Sequence, residues 1–295
     1  MAGPMEWLLG RRVSRVTLTA LLFPLPLLAV VSAAIAVLTA STQSWRIALV
    51  DAALSAALLM LLTVLVDGPW IEMGIGAGLT WGVAVLLGHL SRVTSLNLAV
   101  QSAVLLGFAG AMIFLVVSRD PQAYWEQVLG DLAERARSAG LEVGPADLLP
   151  MAAQLMTGLM SASAIASALG ALFLGVWWAG PVGGRSFGEE FQGLRMGRVL
   201  GVLAGVIGVL ALTGLKPSVD DLLLVLGVGF IVQGLAVVHW HGARHEWPKV
   251  WPLALYLPLA LVPALAVIEM LLLALVGLVD NAYRLRRSGD KSGVM

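Results

Sequence analysis

Few side chains in this sequence can do chemistry, and most of them stand inside long apolar runs. Glu269 lies in the run Pro252–Val279, a few residues after Pro263. Asn97 and Gln101 are four residues apart and share a helix face, while Gln154 and Gln233 each sit several residues inside a run. Asp51 follows Arg46 by five residues, near the edge of its run. A polar or ionisable group is costly in hydrocarbon, so each of these points toward a site. Glu269 reads equally as a ligand or proton-coupling group and as a buried structural carboxyl. Asp51 and the amides read first as interhelical hydrogen-bonding groups. The candidate ligand-binding residues are therefore Glu269, Asn97, Gln101 and Gln233.

Two further constellations address catalysis and metal binding. Glu189-Glu190 followed by Arg195 approaches the EExxxR pattern of intramembrane proteases, but four residues separate Glu190 from Arg195. One extra residue rotates the arginine by about 100° on a helix, and the companion FxxxH element is missing. GxSxG, HExxH and Walker patterns are missing too. Arg185–Arg198 reads as an interfacial helical segment with mutually satisfied charges, and Glu189, Glu190, Arg195 and Arg198 are candidate partner-docking residues. His241 and His245, beside His239, have helical spacing that could hold a metal, yet only Glu246 stands at ligand spacing. Neither a catalytic residue, a metal nor a cofactor is expected.

The elements that must position these groups follow from composition. Apolar residues make up 59% of the 295 and charged residues 12%, with a mean hydropathy of +0.91. Soluble chains carry about 25% charged residues, so the class is a polytopic membrane protein. The formal net charge is zero and no basic tract is long, which argues against nucleic acid as a partner. The absence of cysteine excludes disulfides, thiolate metal sites and a cysteine nucleophile.

Eight apolar stretches stand out: Thr17–Thr39, Ile47–Val66, Ile71–Leu90, Val93–Val117, Pro150–Gly180, Val199–Leu215, Leu222–Trp240 and Pro252–Val279. Arg11, Arg12 and Arg15 precede the first, but it is too long for a signal-peptide core and reads as an uncleaved membrane segment. All tryptophans but Trp81 lie at or near a proposed boundary, as rings at headgroup level should. The sequence thus predicts an all-α bundle of seven to eight membrane segments forming a single membrane domain over residues 1–295.

Topology turns on the first and last segments, which contain Pro24/Pro26 and Pro258/Pro263. If all eight cross, eleven basic residues lie inside and seven outside; if those two segments turn back, the division is fourteen to four. The positive-inside rule prefers the second reading. Both readings put the two termini in the cytoplasm, and the lipid bilayer of the inner (plasma) membrane is the expected setting.

Residues 119–147 form the one hydrophilic insertion. Asp120 is a helix N-cap, Pro121 a first helical residue and Gly140 a stop, with apolar residues at helical spacing between. The expectation is one extracytoplasmic amphipathic helix. Small residues recur four apart in Gly74/Gly78/Gly82, Gly158/Ala162/Ala166/Gly170, Gly193/Gly197/Gly201/Gly205 and Ser32/Ala36/Ala40. Such faces let helices approach closely where lipid supplies no hydrophobic drive.

The second half resembles the YybS-like family of bacterial membrane proteins. Three stretches carry the likeness: Phe187–Arg198 (FGEEFQGLRMGR), Gln233–His239 (QGLAVVH) and Gly277–Asp280 leading to Arg284, Arg286 and Arg287. Gln192 replaces a basic residue of the family, and Asn281-Ala282-Tyr283-Arg284 replaces an aromatic–acidic pair. Such proteins look similar at fold level to the S-components of energy-coupling-factor transporters and to the cell-shape protein MreD. The resemblance implies a small helical bundle that captures a solute or scaffolds a complex. The expected function is a solute-binding or transport-associated subunit lacking its own ATPase. The competing expectation is a scaffold docking a membrane or cytoplasmic protein through Phe187–Arg198 and the basic C-terminus.

Overall fold

The structure, a computed structural model, describes residues 4–141, 144, 148–214 and 218–286. Lys216, Arg287 and Lys291, and the end of the 119–147 insertion, lie outside the described residues. The elements are α1 (Pro4–Gly10), α2 (Arg12–Leu22), α3 (Leu28–Thr42), α4 (Trp45–Leu65), α5 (Trp70–Val93), α6 (Leu96–Val117), α7 (Pro121–Ser138), α8 (Leu149–Gly183), α9 (Phe187–Gln192), α10 (Gly197–Leu212), α11 (Ser218–Arg244), α12 (Trp251–Leu261) and α13 (Pro263–Tyr283). The described residues form an all-α protein. Six helices, α4, α5, α6, α8, α11 and α13, are long and apolar enough to cross a membrane, which makes this a multi-pass membrane protein. Two compact units divide the chain: residues 1–103 with 166–194, and residues 104–165 with 195–295.

In the first unit the prolines at 24 and 26 end α2, and the chain turns back as α3. The Ser32 hydroxyl donates to the Thr19 carbonyl (2.6 Å), and Gln43 Nε2 at the far end donates to the Leu9 carbonyl (2.8 Å). The first segment is therefore a helical hairpin whose ends meet. Residues 32–40 of α3 are all buried, as befits a helix that is small and apolar all round. A Cβ at Gly88 or Gly175 would lie 2.8 Å from the Val37 or Ala34 carbonyl oxygen, so only glycine lets α5 and α8 approach α3 this closely. Trp81, the one mid-span tryptophan, is fully buried and donates from Nε1 to the Ser32 hydroxyl (2.9 Å).

The second unit is organised around α11, and α13 runs antiparallel to it. Gly234 meets the Leu273 carbonyl and Gly277 the Phe230 carbonyl, so the two backbones touch. Here the last segment is interrupted at one of its prolines. It breaks at Val262 because Pro263 supplies no N–H, leaving a short α12 and an unbroken 21-residue α13.

The insertion folds as expected. Asp120 accepts the Ala123 N–H (2.9 Å), Pro121 opens α7, and Gly140 follows its end at φ +79°. Trp125 Nε1 donates to the Thr157 hydroxyl (2.9 Å), tying α7 to α8.

The small-residue faces are only partly used. The Ser32/Ala36 face is buried, and Gly158 touches Asp221 of α11. Gly74 meets Met60, whereas Gly78, Gly82 and Gly205 have nothing within 4 Å. Gly193 and Gly197 do not share a helix: α9 ends at Gln192 and α10 begins at Gly197, which sits at φ +74°. Arg185–Arg198, expected as an interfacial helix entry, holds the short α9 and the start of α10.

Candidate functional site

Three buried aspartates mark the polar interior. In the first unit Asp51, 6% exposed near the start of α4, receives Arg12 Nε (2.7 Å) and Arg15 Nε (2.8 Å). Arg15 also donates to the Leu9 carbonyl, and Ser55 donates to the carbonyls of Asp51 and Val16. The N-terminal arginines thus pin α2 to α4, and the carboxylate has two cations.

In the second unit Asp280 is fully buried. Arg286 reaches back to it at 2.6 Å because Arg284, at φ +54°, reverses the chain just past α13. Gln233 Nε2 donates to the same carboxylate (2.7 Å), while its Oε1 accepts the Met196 N–H at the start of α10 (2.8 Å). Asn281 Nδ2 donates to the Gly197 carbonyl (3.0 Å), and Gly201 leaves room for that amide. Met196, Gln233 and Asp280, one from each of the stretches Phe187–Arg198, Gln233–His239 and Gly277–Asp280, thus meet in one network. Carboxylate, guanidinium and amide satisfy one another here.

Asp221, in the first turn of α11, differs. It is 2% exposed, and one carboxylate oxygen accepts the Gly158 N–H of α8 (2.8 Å). A Cβ at residue 158 would stand 2.7 Å from the Asp221 Cα, so glycine is what permits the contact. Asp221 forms no ion pair among the described residues, although no buried side-chain nitrogen or oxygen there lacks a hydrogen-bond partner. Its second oxygen is therefore not wholly enclosed, and Asp221 lines a pocket of about 160 Å³ between the α7 start, α8 and α11. The lining mixes polar and apolar residues: Arg119, Asp120, Gln122, Gln154, Thr157 and Ser218 join Asp221, with Leu115, Pro121 and Ala153 between them.

The sequence-predicted residues fall elsewhere. Asn97 and Gln101 belong to the first unit, Gln233 and Glu269 to the second. Gln233 is held in the Asp280 network. Glu269 is half-buried, eleven residues before Asp280 or about 16 Å along α13, and makes no hydrogen bond or ion pair among the described residues. Of the docking candidates, Glu190 is held by Arg185 (2.7 and 2.6 Å), which also donates to the Ser91 carbonyl. Arg195 is half-buried, and Glu189 and Arg198 are exposed. His245 Nδ1 lies 3.1 Å from the His241 carbonyl, and no group of three His, Asp or Glu side chains among the described residues could hold a metal.

Sequence reading passed over Asp221 because it stands at the very edge of its apolar run, beside Asp220, where a hydrated carboxylate is unremarkable. Gln154 alone was visible as a polar intruder. Compared with known proteins, the chain matches no protein-family model, no curated protein and no solved structure.

Proposed function

We propose that this chain is a non-catalytic, solute-binding membrane subunit of the inner (plasma) membrane, with its solute held between α7, α8 and α11. The observation that carries the reading is the imbalance at Asp221. Asp51 and Asp280 are neutralised inside the chain, whereas Asp221 lines the pocket without an ion pair among the described residues, Arg119 of the same lining being solvent-exposed. A buried carboxylate in that state is costly, and a bound solute is a natural counterweight. The pocket is smaller than the roughly 300–1,000 Å³ of most small-molecule sites, so the solute is compact.

The basic residues Arg11, Arg12 and Arg15 favour a cytoplasmic N-terminus. The turned-back α2–α3 hairpin supports that side for the whole first segment. Because α13 is unbroken and antiparallel to α11, its C-terminal end heads toward the end of the unit that carries α7. We place α7, the pocket and the C-terminus together on the extracytoplasmic side. Cysteine labelling checks this cleanly in a chain with no native cysteine: Asp131→Cys and a C-terminal reporter should respond from one side. Responses from opposite sides would refute the placement.

Native mass spectrometry of protein extracted gently from its membrane tests the function. A stoichiometric small-molecule adduct, reduced by Gln154→Leu in the pocket wall, is the expected result. Apo protein carrying only protein partners would instead favour a scaffold. Exposed Glu189 and Arg198 favour that second reading.

A further inference from the structure

The chemistry of the pocket narrows what it can hold. Several lining groups already have partners: Asp120 caps α7, Gln122 Nε2 donates to Glu126, Thr157 accepts from Trp125, and one Asp221 oxygen accepts from Gly158. The lining residues still offer acceptors, the second Asp221 oxygen, the Gln122 and Gln154 carbonyl oxygens and the Ser218 hydroxyl, beside the donors of the Gln154 amide and of Arg119. Arg119, the one cation among the described lining residues, is solvent-exposed, as are Asp120, Gln154 and Ser218, and water and salt screen its charge. Asp220 adds negative charge next to Asp221 in the chain.

A buried anion among neutral acceptors selects a cationic ligand that carries its own donors. Aromatic rings, which recognise quaternary ammonium through their faces, do not line the pocket. A planar guanidinium is best matched by a carboxylate with both oxygens free, and one oxygen of Asp221 is taken. A tetrahedral –NH₃⁺ with three donors fits the remaining acceptors. At about 30 Å³ for each water-sized group, the volume admits roughly five.

We infer that this pocket binds a compact primary ammonium compound, with Asp221 as its counter-charge and Gln154 and Ser218 as further acceptors. The inference rests on the solute-binding reading above and names its ligand class.

The test titrates the full chain in lipid nanodiscs with ethylammonium, tetramethylammonium and sodium chlorides at matched ionic strength, read by calorimetry. Ethylammonium should bind saturably and at least about tenfold more tightly than tetramethylammonium, since hydrogen bonds to a charged group contribute that much. Asp221→Asn should weaken it by about tenfold or more. This substitution keeps the acceptor for Gly158, and an unchanged melting temperature verifies the fold. Gln154→Leu, at an exposed position, should weaken binding severalfold without touching the Gly158 contact. Equal binding of ethylammonium and tetramethylammonium, preference for sodium, or wild-type affinity in Asp221→Asn would overturn the inference. A neutral or anionic adduct in native spectra, sensitive to Gln154→Leu but not to Asp221→Asn, would reject the ammonium class and keep the solute reading. An apo protein that also ignores ethylammonium would reject both.

Discussion

Asp280 and Asp221 sit in the same unit, are almost equally buried and lie on helices that each cross a membrane in length, yet their surroundings differ. Asp280 has a guanidinium at 2.6 Å and an amide at 2.7 Å, and the amide is tied onward to the Met196 N–H at the start of α10. Asp221 has a single backbone N–H and an open side. A closed network fixes geometry: it holds the end of α13, the middle of α11 and the start of α10 at one level. An open carboxylate leaves an interaction to be made. The difference separates a structural role from a binding role without reference to any relative, because charge balance within low dielectric is demanding wherever it occurs.

The largest predicted effect breaks this comparison at its closed end. Asp280→Ala leaves the Arg286 guanidinium and the Gln233 amide facing each other in a buried space. Breaking a buried pair in this way costs about 3–5 kcal/mol, so the purified variant should melt far below wild type or fail to accumulate. Asp221→Asn should shift melting little, since Asn still accepts from Gly158 and no cation is orphaned. Thermal unfolding of both variants in one detergent is the measurement. Comparable destabilisation by the two would mean that Asp221 is a structural group after all.

Much of this architecture was legible in the sequence, and the exceptions have physical causes. Run lengths and tryptophan positions located α4, α5, α6, α8 and α11 within a few residues, because hydrocarbon thickness fixes length, whereas α13 begins eleven residues into its expected run. Asp120, Pro121 and Gly140 announced α7, since caps act locally. The Pro24/Pro26 turn was readable for the same reason. What stayed hidden depends on contacts distant in sequence. Gln233 looked like a candidate ligand group, and only the arrival of Met196 and Asp280 reveals its partners. Small residues four apart drew attention to Gly78 and Gly82, which face open space, whereas the closest approach uses Gly234 and Gly277. Spacing within one helix cannot say which face meets a neighbour.

Those glycines carry the remaining prediction, which sharpens the comparison from the backbone side. Gly277 holds the Asp280 network together by letting α13 touch the Phe230 carbonyl, and Gly158 holds the pocket by letting α8 touch Asp221. In both places the added Cβ meets backbone, which cannot swing aside like a side-chain tip. Gly277→Ala should therefore cost about 1–3 kcal/mol as overpacking, measured by the same unfolding assay. Gly158→Ala carries a similar penalty and in addition displaces the carboxylate from its pocket, so the surviving folded fraction should lose affinity for ethylammonium. Gly78→Ala is the control, because its Cβ meets nothing and helix propensity alone favours alanine by about 1 kcal/mol. If Gly158→Ala melted like Gly277→Ala yet bound ligand as wild type, the pocket would not depend on the α8–α11 contact. Asp221 would then need another reason for its open side.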